Sequence, residues 1–151
     1  MTACQLAKKS TVNWDVCPAI ESAQDAISKS YWTESAKAVV TSARDGKHSK
    51  QTAHDNGNAI DLRISNLFPE RRLNNRVWYT LVRDFAHTLA SALQRLPSAG
   101  RFDVVLERDH IHLEHSVGRV PNITGWVPDQ FVYCNPAVKA ILDPVNPKAA
   151  A

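Results

Sequence analysis

The 151-residue chain has little of what would settle its class at a glance. Its three cysteines, Cys4, Cys17 and Cys134, are odd in number and far apart, and no Cys-x-x-Cys pair occurs. That excludes a four-thiolate zinc site and argues against a disulfide framework, leaving core or idle thiols. Glycine is scarce, with five residues, and the charge is balanced, with 18 Lys and Arg against 15 Asp and Glu. Collagen-like and disordered chains are thereby excluded. No block recurs at a fixed period, so repeat architectures fall away. No run approaches the roughly 18 apolar residues of a membrane span. Met1 to Ser10 lacks the apolar core of a secretion signal, so the chain is expected to be made in the cytoplasm and to need another route to any work outside it. A net charge of +3 is mild, and Arg71, Arg72 and Arg76 are the tightest basic group. Such a trio reads as a solvated helix face, not as a nucleic-acid footprint. The HExxH, GxSxG, GxGxxG and Gly-Lys phosphate-loop signatures are all missing.

What the chain does have is a 44% apolar content in a length suited to one domain over residues 1–151. Val16, Ile20, Ala23, Ile27 and Tyr31 recur at helical spacing, with Pro18 suited to a first turn and Asp15 as a cap before it. Residues 38–42 are β-branched and short, and predict a strand. Arg44 to Asn58 is polar, with Gly46 and Gly57, and predicts a loop. Residues 59–64 alternate, with Ile60, Leu62 and Ile64 on one face and Ala59, Asp61 and Arg63 on the other. From Asn74 to Leu96 the set Val77, Leu81, Phe85, Leu89, Leu93 and Leu96 predicts a long amphipathic helix. Phe102 to Leu113 reads as one further strand. The proline-rich stretch 120–151 reads as irregular, with a helical turn near Ala137 to Leu142. The order predicts an α+β protein with a small antiparallel sheet covered by helices on one face.

The histidines fall into two groups. His48 and His54 lie in the polar loop ahead of Asp61, whereas His110, His112 and His115 crowd the last predicted strand; His87 stands apart on the long helix. Catalytic zinc takes three ligands from His, Asp or Glu and keeps one position open. Asp61 projects from a strand whose other face is core, where a carboxylate is costly unless paired or bound to a metal. His110 and His112, two apart, share a face. A loop His, a strand Asp and a strand His can therefore converge on one ion.

Residues 52–61, Thr-Ala-His-Asp-Asn-Gly-Asn-Ala-Ile-Asp, resemble the Ser-x-His-x-x-Gly-x-Ala-x-Asp signature of zinc D,D-peptidases and L-alanyl-D-glutamate peptidases. Those enzymes cut peptidoglycan peptides, many are phage endolysins, and the hedgehog amino-terminal domain shares their fold. Asp109-His110-Ile111-His112 resembles the family's closing strand. The resemblance implies a hedgehog/D,D-peptidase-like fold and a Zn2+ ion held by His54, Asp61 and His112. It implies Asp109 as the base that takes a proton from the attacking water and returns it to the leaving amine, with Glu107 as the alternative. His48 and Arg44 are implied near the reacting carbonyl, and His110 beside the ligands. Thr52 stands where the family has Ser, and Asp109 where Glu is commoner. Strict alternation would turn Asp109 away from His112, which calls for a bulge before His110. The function implied is that of a monomeric peptidase acting on stem peptides of the cell wall, reaching them by holin-type release or from a phage particle. The alternative is a zinc-stabilised binding module of the hedgehog type that no longer cuts, and an acid beside the metal is what separates the two.

Overall fold

A computed structural model describes residues 5–44, 54, 56–98, 100–117, 121, 123, 126–127 and 129–143. Pro18, whose missing N–H costs nothing in a first turn, starts helix α1 (Pro18–Thr33), and Ile20, Ala23, Ile27 and Tyr31 make its buried stripe. Asp15 does not cap it: the N-cap is Cys17, without a side-chain bond, and Asp15 pairs with Arg44 instead. Helix α2 (Asn75–Gln94) is capped by Asn74, whose side chain accepts from the backbone N–H groups of Arg76 and Val77. Its buried face runs through Trp78, Val82, Phe85, Ala86, Leu89 and Leu93, and Val77 is left exposed. The expected stripe is thus right in its C-terminal half and rotated at the start. Trp78 explains the rotation, because its indole N–H donates to the Leu67 carbonyl and draws that side of the first turn inward. None of the described helices is long and apolar enough to cross a membrane.

The strands are β1 (Ala7–Lys8), β2 (Val39–Ser42), β3 (Ala59–Arg63), β4 (Arg101–Leu106), β5 (His110–Ser116) and β6 (Val132–Cys134). They form a sheet in the order β1-β2-β3-β5-β4-β6. The α+β class stands, but the sheet is mixed: β2, β3, β5 and β4 pair antiparallel, while β1 and β6 add parallel edges. The stretch read as one strand from Phe102 to Leu113 is a hairpin, β4 and β5, with Glu107, Arg108 and Asp109 between them. After residue 120 the helical turn expected near Ala137 to Leu142 is present as helix α3 (Pro136–Leu142), and β6 is the regular element that was not expected.

Alternation gives the sheet two unlike faces. Ile60, Leu62, Val104, Leu106, Ile111 and Leu113 join the helices in one apolar core. On the opposite face register lines up Asp61, His112, Val105 and Tyr133 in one row, and Ala59, Glu114 and Asp103 in the next.

Candidate metal centre

His54 reaches the sheet from a tight turn. The Gly57 N–H donates to the His54 carbonyl at 3.0 Å, closing four residues, and the Gly57 carbonyl accepts from the Cys17 N–H at 2.8 Å. Gly57 has φ +73°, and a Cβ there would lie 2.7 Å from the Asp15 carbonyl oxygen, so both conformation and space demand glycine. The His54 ring is buried, and its Nδ1–H donates to the Ala43 carbonyl at 2.8 Å, just past the end of β2. That bond commits Nδ1 and leaves Nε2 to face the strands.

Nε2 points at its counterparts on the strands. It lies 3.3 Å from Asp61 Oδ1 and 3.3 Å from His112 Nδ1, and His112 Nδ1 lies 3.2 Å from the same Asp61 oxygen. Asp61 and His112 are direct cross-strand partners, which accounts for their closeness. The two imidazoles meet edge to face, with ring centroids 5.0 Å apart. His54, Asp61 and His112 form a group that can hold a metal ion. Burial pushes the Asp61 carboxyl up, but bonds from His112 and His54 and the nearby His110 outweigh it and hold it well below the usual carboxylate range. Burial pulls the His112 imidazole down, yet Asp61 and Glu114 prevail and raise it to about 9.

The remaining residues singled out by the sequence fall in three places. His110 stands beside the triangle, its Nε2 3.6 Å from Asp61 Oδ1 and its Nδ1 2.6 Å from Asp109 Oδ1. Asp109 lies in the turn ahead of β5, so strand parity places no restriction on it and no bulge is needed. The Tyr79 hydroxyl holds that turn on α2 by donating to the Arg108 carbonyl at 2.6 Å. Glu107 is engaged by the Asn135 amide at 2.5 Å. Arg44 is exposed and bound to Asp15 at 2.6 Å, not to the triangle. His48 lies outside the described residues. His115 has the other parity and is buried against the Phe102 ring, away from His110 and His112.

Two contributors escaped the sequence reading. The Ala43 carbonyl is backbone and leaves no trace in residue type. Glu114, with Oε2 3.3 Å from His112 Nε2, shares the parity of His110 and His112, and alternation alone could have found it. An open groove of about 640 Å3 is lined by Trp78, Tyr79, Glu107, Arg108, Asp109 and His110. No family model matches the chain, and neither a curated protein nor a solved structure matches it significantly.

Proposed function

We propose that the chain is a zinc-dependent peptidase with a hedgehog/D,D-peptidase-like fold, hydrolysing peptide bonds in the stem peptides of bacterial peptidoglycan. One observation carries the metal: the triangle of donor atoms has sides of 3.2, 3.3 and 3.3 Å. A tetrahedral ion with bonds of roughly 2.0–2.1 Å spaces its ligands about 3.3–3.4 Å apart. His54 Nε2, Asp61 Oδ1 and His112 Nδ1 therefore match one face of such a tetrahedron, and the donor set of two imidazoles and one carboxylate suits zinc.

Zinc at this position would draw the pKa of water towards neutrality and polarise a peptide carbonyl. The chain's own groups do the rest. Asp109, exposed at the rim and bonded to His110, accepts the proton of the attacking water and delivers it to the departing amine. His110 stands between Asp109 and the triangle, with Nδ1 on the acid and Nε2 3.6 Å from Asp61 Oδ1. The groove past Glu107 and Arg108 gives an extended peptide room to lie along the hairpin. Choice of peptidoglycan over other peptides rests on the resemblance of residues 52–61 and 109–112 to the wall peptidases.

The test is zinc content together with digestion of muropeptides followed by mass spectrometry. Wild-type protein is expected to carry one zinc and cleave. Asp109→Ala is expected to keep its zinc and lose about two to four orders of magnitude in turnover. Zinc without cleavage by the wild type would replace this reading with the non-cutting binding module.

A further inference from the structure

Glu114 and Asp103 face each other across the β4–β5 ladder, and neither side chain is exposed. Two adjacent carboxylates shut away from water repel unless each has a positive or N–H partner. Asp103 is served by Arg101 at 2.6 Å and by the Ser116 hydroxyl at 3.2 Å. Arg101 is itself anchored, donating to the Tyr133 hydroxyl and the Gln130 carbonyl. Glu114 is directed instead to the centre, its Oε2 3.3 Å from His112 Nε2. An apolar side chain of that volume would fill the same space at lower cost. The carboxylate thus calls for a reason.

The two histidines of the triangle supply it. Each turns one ring nitrogen to the common point and the other to an outer acceptor: a neutral carbonyl for His54, a carboxylate for His112. An imidazole that gives Nδ1 to a cation keeps its proton on Nε2. We infer that Glu114 is a positioning residue of the metal centre: it holds the His112 ring and its Nε2–H tautomer, and its charge strengthens Nδ1 as a donor to a divalent cation. Arg101, by engaging Asp103, keeps the neighbouring carboxylate from competing for that role. The inference rests on the metal reading of the cluster.

The experiment uses the full chain and zinc ion as the probe. Chelator competition measures zinc affinity for the wild type and for Glu114→Gln, which keeps the volume and an acceptor oxygen but loses the charge. The variant is expected to bind zinc about 10- to 100-fold more weakly, whatever the change in its metal-free melting temperature. A merely structural Glu114 would leave the zinc affinity of the folded protein unchanged, and that result would overturn the inference. Imidazole 15N spectra of the zinc-loaded wild type give a readout independent of any variant. They are expected to show His112 protonated at Nε2, and a proton on Nδ1 would overturn the inference. Wild-type protein that takes up no zinc would overturn the metal reading as well, so the two failures are told apart.

Discussion

On β5, Ile111 and Leu113 are fully buried in the apolar core, while His112 and Glu114, alternating with them, turn to the other face among Asp61 and Asp103. The first face is held by non-directional burial, worth about 25 cal/mol for each Å2 of apolar surface removed from water. The second gathers groups that lose water's solvation and must recover it from one another. The same strands therefore carry stability on one side and chemistry on the other, and residues one apart in sequence answer to different physics. Such a division can be broken by substitution, one face at a time.

The largest effect is expected from Asp61→Ala, which removes the oxygen that lies 3.2–3.3 Å from both histidine nitrogens. Losing a direct ligand costs more than the tenfold to hundredfold of an outer partner, so zinc affinity should fall on the order of a thousandfold or more. Circular dichroism should show the fold intact, because Ile60 and Leu62 on the other face of β3 are untouched. Leu113→Ala is the mirror experiment. Its side chain lies wholly in the core, and truncation should cost about 2–5 kcal/mol in denaturant unfolding with or without metal. Chelator competition should find its zinc affinity near that of the wild type. A large fall in affinity for Leu113→Ala would show that the two faces are not separable.

How much of this division is legible in the residues follows from the same physics. Alternation in Ala59–Arg63 gave the two faces directly, because a half-buried strand writes its burial into every second residue. The two histidine groups leave open which loop His and which strand His join Asp61, and it is the resemblance of residues 52–61 and 109–112 that narrows the set to His54, Asp61 and His112. The hairpin after Leu106 is hidden because Asp109 is the single turn-forming residue among Glu107, Arg108 and Asp109, with no glycine, proline or asparagine beside it. With the turn unseen, Asp109 was assigned a strand parity it does not have. β1 and β6 are short parallel edges, fixed by partners distant in sequence and not by a pattern of their own. Trp78 outcompeted Val77 for the core through a hydrogen bond to a backbone carbonyl, which residue type does not display.

The smallest effect sharpens the comparison through pH. In the metal-free protein Asp61 and Glu114 raise the His112 imidazole from its ordinary 6.5 to about 9. A group whose folded pKa is raised stabilises the fold fully below its unfolded value and ceases to do so as pH climbs through the folded value. Metal-free protein should therefore be most favoured by His112 below about 6.5 and lose that contribution progressively up to about 9. A fall in melting temperature on the order of 5 °C across this window is expected for a chain of this length. Zinc should abolish the trend, because the lone pair of Nδ1 is then committed to the ion and His112 no longer exchanges that proton. Calorimetry at pH 6 and pH 9, with and without one equivalent of zinc, checks both halves. Leu113→Ala offers the contrast: it should lower all four melting temperatures and leave the pH dependence and its suppression by zinc in place, since the titrating groups lie on the opposite face.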